Sequence, residues 1–204
     1  MPYKTYHTYR GEKIASAKDA RAVISLGTPI SALVYHEHDH LRHLYKFYED
    51  AVKRDLPLIG SCFGGQLLAK VLGAEVKRNP VKEIGIYKVK LTEAGREDRL
   101  FGGFDDEFPV FLWHTDAFTI PPEGVRLAEN EACSNQAFRK GNSVGMLFHL
   151  ESNRADISVL CNNYASELIE ENLNPRKIIE DFNQHADEIK RLNYKLLTNF
   201  FDNI

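Results

Sequence analysis

The stretch LPLIGSCFGGQLLAKVLG, from Leu56 to Gly73, constrains the fold more tightly than any other part of the chain. LPLIG is a short apolar run of strand length that ends on glycine. GQLLAKVLG has the apolar spacing of a helix and closes on Gly73, which suits the C′ position. Only a few residues lie between the two, so the strand must turn sharply into the helix. Gly60, Ser61, Gly64 and Gly65 leave room for that turn. A buried strand that feeds directly into a helix is the repeating element of an α/β sheet. A strand expected at ARAVISLG (Ala20–Gly27) supplies its neighbour. Between them, EHDHLRHLYKFYEDAVKR (Glu37–Arg54) places Leu41, Leu44, Tyr45, Tyr48 and Val52 on one helical face. The order strand, helix, strand, helix predicts parallel pairing.

Beyond Gly73 the pattern changes. EIGIYKVKLT (Glu83–Thr92) sets Ile84, Ile86 and, less cleanly, Lys88 against Gly85, Tyr87 and Val89. FPVFLWH (Phe108–His114), NQAFRKG (Asn135–Gly141) and SVGMLFH (Ser143–His149) read as further short strands, the last two joined by a hairpin turn at Gly141-Asn142. FGGFDDEF (Phe101–Phe108) reads as a surface loop. From Tyr164 onward the chain is helical. Asn174-Pro175 has the form of an N-cap with proline at N1. Ile178, Ile179, Phe182, Ala186, Ile189, Leu192, Leu196, Leu197 and Phe200 trace an apolar stripe suited to docking on a sheet. The expectation is one α/β domain over residues 1–204, with its core at about 20–155 and a helical segment at about 164–204. Its sheet would be mostly parallel and doubly wound, flavodoxin-like, with a small antiparallel extension.

With 26 basic against 29 acidic residues, the net charge of −3 gives no general attraction to nucleic acid or to an anionic membrane. No apolar run is long enough to span a bilayer, and the N-terminus lacks the apolar core of a signal peptide. Three widely spaced cysteines, Cys62, Cys133 and Cys161, do not make a disulfide framework and fit a reducing, cytoplasmic compartment. Cys133 and Cys161 read as packing residues. HEHDHLRH holds His36, His38, His40 and His43, but no closed set of four ligands, and reads as a solvated helix entry rather than a metal site. Gly102-Gly103 lacks the Lys-Ser/Thr ending of a phosphate loop, so an ATP-using synthetase motif is absent. No metal or cofactor is expected.

Cys62 is the residue with chemistry to explain. A free cysteine after a strand often packs as a small hydrophobe. At a helix N-terminus, however, unpaired N–H groups and the helix dipole favour a thiolate. The same N–H groups can hold an oxyanion. A thiol nucleophile also needs a base and a group to orient it. MLFHLES supplies His149 and, two residues on, Glu151, which in a strand would share one side. A cysteine elbow followed by His-x-Glu on an α/β chain is far more specific than either part.

PLIGSCFGGQLLAKVLGAEV, WHTDAFTIPPE and NQAFRKGNSVGMLFHLE together resemble the class I, or triad, glutamine amidotransferases, particularly the stand-alone members similar to the amidotransferase domain of GMP synthase. The resemblance runs from about residue 20 to 155, and more loosely to the C-terminus. It implies that Cys62 attacks the side-chain amide of glutamine to form a γ-glutamyl thioester, that His149 moves the proton, and that Glu151 orients His149. It implies oxyanion donors at Phe63 and in the loop Gly27-Thr28-Pro29, and a glutamine pocket lined by Gln66. His114 and Asp116 match a segment near the site, with their role left open. A γ-glutamyl peptidase with the same triad, or a binding protein of this fold with little catalysis, are the rivals. A redox protein is disfavoured by the His-x-Glu pair. The implied partners are glutamine or another γ-glutamyl compound, a separate synthase to use the ammonia, and a second copy in a homodimer.

Three departures from the family pattern carry expectations. Thr28 stands where glycine is usual, which would be strained if the position needs a positive φ. Leu150 stands where proline is usual, which should loosen the turn after His149. YKTYHTYRGEKI resembles the second strand of the family, so the expectation is that the first strand and helix are absent, leaving a gap beside the elbow strand.

Overall fold

The computed structural model describes residues 2–14 and 16–203. Seven strands form one mixed sheet: β1 (Val23–Ser25), β2 (Leu58–Ser61), β3 (Val76–Leu91), β4 (Glu107–Phe118), β5 (Val125–Glu129), β6 (Ala137–Lys140) and β7 (Ser143–Met146). Their order is β1-β2-β7-β6-β5-β3-β4. Only β1–β2 and β2–β7 pair in parallel, and the other four pairings are antiparallel. The expectation of a mostly parallel sheet is therefore corrected. A parallel pair needs a long crossover, and helices provide one only at the start of the chain. The β5–β6 and β6–β7 connections are short, and short connections make antiparallel neighbours.

The helices are α1 (Asp39–Lys53), α2 (Phe63–Val71), α3 (Glu93–Glu97), α4 (Arg154–Asn163), α5 (Ala165–Glu170) and α6 (Pro175–Phe201). Helix α1 buries Leu41, Phe47, Tyr48 and Ala51, while Leu44, Tyr45 and Val52 stay half-buried. Helix α2 ends as expected, with Leu72 as C-cap and Gly73 left-handed at φ +88°. Asn174 caps α6 by accepting from the N–H groups of Arg176 and Lys177, with proline in the first turn. The α6 stripe is core: Ile178, Phe182, Ala186, Ile189, Leu196 and Phe200 are buried, and the Phe182 ring meets Phe111 of β4 edge-on at 5.6 Å. Burying a side chain of that size contributes about 2–3 kcal/mol.

Several expected elements are corrected. Strand β7 stops at Met146, short of His149. Helical structure begins at Arg154, ahead of Tyr164, and opens with a reciprocal capping box between Asn153 and Asp156. On β3, Lys88 is exposed while Glu83, Gly85, Val89 and Leu91 are buried, so past Ile86 the buried face is the opposite one. FGGFDDEF is not a plain surface loop. Phe101 and Phe108 are buried, and Phe104 stacks edge-on to both. The hairpin at Gly141-Asn142 forms, pairing Lys140 with Ser143, with φ +57° at Gly141.

YKTYHTYRGEKI contains no strand, only a 3-10 turn at Thr8–Arg10. The elbow strand β2 has no gap beside it, being paired on both sides. Strand β1 is the sheet edge, and Ile24 and Leu26 are 41% and 51% exposed. Among the described residues, no helix is long and apolar enough to cross a membrane.

Candidate active site

The elbow is built by close packing. Cys62 sits between β2 and α2 at φ +52°, ψ −115°, a strained setting for a residue with a Cβ. Backbone bonds hold it there. Its N–H donates to Met146 O at 2.8 Å, and its carbonyl accepts from Gln66 N at 2.9 Å as the first bond of α2. Glycine is required alongside, because a Cβ on Gly64 would lie 2.6 Å from Ser25 O and one on Gly65 2.5 Å from Met146 O. The thiol is nearly buried, at 8% exposure, and faces the Trp113 carbonyl at 3.8 Å. The first N–H groups of α2, including that of Phe63, have no acceptor within the helix.

His149 and Glu151 lie in the bend after β7, so the two-residue spacing acts through a turn and not through a strand. That turn is anchored on β4: His149 N donates to Phe111 O at 2.8 Å, and Phe111 and His149 form an isolated antiparallel bridge. Ser61 Oγ donates to Phe148 O at 2.8 Å, tying the turn to β2. Leu150 is buried. His149 Nδ1 and Glu151 Oε1 are 2.6 Å apart. Burial opposes a charged imidazole, but Glu151 and then Cys62 outweigh it and hold the His149 pKa well above its ordinary value. Burial would raise the Glu151 carboxyl, but His149 and the backbone N–H groups of Glu151 and Leu150 lower it overall. Acid, imidazole and thiol thus form one electrostatic unit in a partly buried place.

Gly27 faces this unit directly. A Cβ built on it would lie 3.2 Å from His149 Cε1, 3.4 Å from Cys62 Cβ and 3.7 Å from Cys62 Sγ. Thr28 follows it without a positive φ, so the expected strain there is absent. Gln66 is buried and donates through Nε2 to Asp116 O at 2.8 Å. The Asp116 carboxylate is buried, accepts from Ser31 Oγ and lies 3.3 Å from Arg78. Ser31 and Arg78 had no distinguishing sequence signal. His114 points elsewhere. It sits opposite Glu83 on β3, with Nε2 3.1 Å from Glu83 Oε2 and both side chains almost fully buried.

The histidine run is a helix entry. His36 lies in the last turn of the 3-10 segment Ala32–Glu37, His38 is the N-cap of α1, and His40 and His43 lie in its first turns. Among the described residues, no group of three His, Cys, Asp or Glu side chains is arranged to hold a metal. Cys133 and Cys161 are free and buried. Burial pushes the Cys133 thiol up and the Cys161 thiol to about 11, which suits packing rather than reactivity.

A nearly buried thiol at a helix start, an imidazole whose pKa is raised by its carboxylate partner, and a glycine loop beside both can carry out acyl transfer. Comparison with known proteins points the same way. The family profile described as "Glutamine amidotransferase class-I" matches residues 7–166. The chain is 41% identical over 95 residues to the glutamine amidotransferase-like protein YfeJ of Salmonella typhimurium, covering 46% of this chain and 40% of that protein. It is 34% identical over 137 residues to one subunit of the glutamine-hydrolysing GMP synthase of Sulfurisphaera tokodaii, covering 66% and 69%. The match thus spans less than half the length of the first of these relatives and about two thirds of the second. Among solved structures, a glutamine amidotransferase from Thermotoga maritima superposes with a TM-score of 0.87 at 31% identity, covering 95% of this chain and 84% of that one. A glutamine amido transferase from Methylobacillus flagellatus gives 0.87 at 26% identity, covering 99% and 84%.

Proposed function

This chain belongs to the class I glutamine amidotransferase family, and from that premise we propose that it hydrolyses the side-chain amide of glutamine through a thioester on Cys62. Cys62 Sγ, as thiolate beside the protonated His149, attacks the amide carbon. The carbonyl electrons move to oxygen, and the N–H groups of Phe63 and of the Gly27-Thr28 loop receive the developing charge. The tetrahedral species collapses, the C–N bond breaks, and His149 gives its proton to the departing nitrogen, releasing ammonia. Water then enters. His149 takes one of its protons, and the oxygen attacks the thioester. Cleavage of the C–S bond frees glutamate and restores the thiolate–imidazolium pair. Glu151 keeps the imidazole oriented and offsets its charge throughout.

The observation that carries this reading is the 2.6 Å His149–Glu151 contact beside a cysteine in an elbow at φ +52°. The name of the Sulfurisphaera relative, one subunit of a synthase, supports a separate synthase as the destination of the ammonia. The test is steady-state release of ammonia and glutamate from glutamine by the wild-type chain, Cys62→Ser and His149→Asn. Equal product from wild type and Cys62→Ser would refute it.

A further inference from the structure

Away from Cys62, the structure buries a second histidine–carboxylate contact that the mechanism above does not use. Glu83 is fully buried. A buried carboxylate is costly unless its oxygens are satisfied, and here both are. Asn130 Nδ2 donates to Oε1 at 2.6 Å, and Gln136 Nε2 donates to Oε2 at 2.9 Å. His114 Nε2 lies against Oε2 at 3.1 Å, a close contact without hydrogen-bond geometry. His114 Nδ1 faces Asp116 O at 3.1 Å.

The partners of Glu83 lead to both halves of the site. Through His114 it reaches the Trp113–Asp116 run of β4. That run presents the Trp113 carbonyl to Cys62 Sγ and the Asp116 carbonyl to Gln66. Through Gln136 it reaches β7's exit, because Gln136 O accepts from Leu147 N at 2.9 Å, two residues before His149. Glu83 also sits where the β3–β4 register resumes after a bulge, directly across from His114. Without a fixed contact there, the end of the bulge would leave β4 free to shift beside the thiol. Gln136 Oε1 is buried with no partner, a cost that its bond to Glu83 offsets.

We propose that Glu83 is a positioning residue, which acts through His114 and Gln136 to fix the Trp113–Asp116 and Leu147–His149 segments against Cys62 and so shapes the pocket for the substrate's γ-glutamyl group. The proposal rests on the glutaminase reading for the identity of the substrate, but not for the positioning.

The test uses wild type, the near-isosteric Glu83→Gln, and Gln136→Met. Glu83→Gln turns one carboxylate oxygen into a donor facing donors. Gln136→Met removes one donor to Glu83 and also removes the unpaired Oε1, so it keeps the fold if Glu83→Gln does not. Each protein is reacted with a diazoketone analogue of glutamine, which has to seat in the pocket, and with iodoacetamide, which need only reach sulfur. Backbone hydrogen exchange is read on the same samples. The expected result is analogue labelling slower by about tenfold or more, on the scale set by small misplacements of reacting groups. Alkylation by iodoacetamide should stay within about twofold. Faster exchange should be confined to residues 111–118 and 147–151. Unchanged labelling in a folded variant, or equal slowing with both reagents, would overturn the proposal. A wild type that reacts with iodoacetamide but never with the analogue would instead refute the glutaminase reading. In that case, unchanged exchange in the two segments would still refute positioning by Glu83, and localised exchange would uphold it.

Discussion

Gly27→Ala separates catalysis from stability more cleanly than any other single change. Its backbone has no positive φ, so alanine is sterically allowed, and the loss of a glycine stabilises by about 0.4–1 kcal/mol through the unfolded chain. The new methyl would sit 3.2 Å from His149 Cε1. That is a few tenths of an ångström inside the optimum for carbon contacts, which begins near about 3.5 Å, and a small tilt of the ring relieves most of it. The two effects nearly cancel, so the unfolding midpoint should move by less than about 1 kcal/mol equivalent. The same methyl would also lie 3.7 Å from Cys62 Sγ, on the face from which a substrate carbon must come within about 3–3.5 Å. Glutamine turnover should therefore fall by about 100-fold or more. Ammonia release and denaturant unfolding on the same preparation measure both quantities. Turnover within a few-fold of wild type would show that substrate does not approach past Gly27. A large loss of stability would show that the loop cannot accept any Cβ.

Other predictions follow from the elbow and the pair. Cys62→Ala and Cys62→Gly should both be inactive, but the glycine variant should be about 1–2 kcal/mol more stable, because φ +52° strains any side chain; equal denaturant midpoints would argue against that strain. Glu151→Gln should lower stability by about 1–3 kcal/mol in a defined pH window. The raised His149 pKa means that its contribution is complete below the unfolded imidazole value of about 6.5 and is lost as pH rises through the higher folded value. The lowered Glu151 carboxyl contributes fully above its unfolded value of about 4.3 and is lost as pH falls through the lower folded value. The gap between wild type and variant should thus be widest between about pH 4.3 and 6.5 and narrow on either side. A gap that is flat with pH would mean that the two groups do not titrate together.

The elbow was legible because its chemistry is local. Gly60, Gly64 and Gly65 make sense only if backbones pass within a side chain's width, and such crowding needs a turn. The α6 stripe and the Asn174 cap were legible for the same reason. The mixed sheet was not, because pairing direction depends on which distant strands meet. VRLAE, which became β5, is too short and too charged to announce a strand. The early start of α4 had a signal, the Asn153–Asp156 capping box. Glu83 had none, since a lone glutamate beside a lysine reads as surface, and only the folded chain brings His114 of β4 and Asn130 and Gln136 of the β5–β6 connection around it. The side-chain contact of His149 with Glu151 follows from spacing, although a bend rather than a pleat brings the two together. Residues 3–14 match a strand in pattern but pair with none, and β1 is the sheet edge.

The most direct test of the central claim is intact mass after incubation with an electrophilic glutamine analogue, on wild type and Cys62→Ser. The account predicts one stoichiometric adduct on wild type and none on the variant. A folded wild-type chain that takes up no adduct, or equal labelling of both proteins, would contradict it.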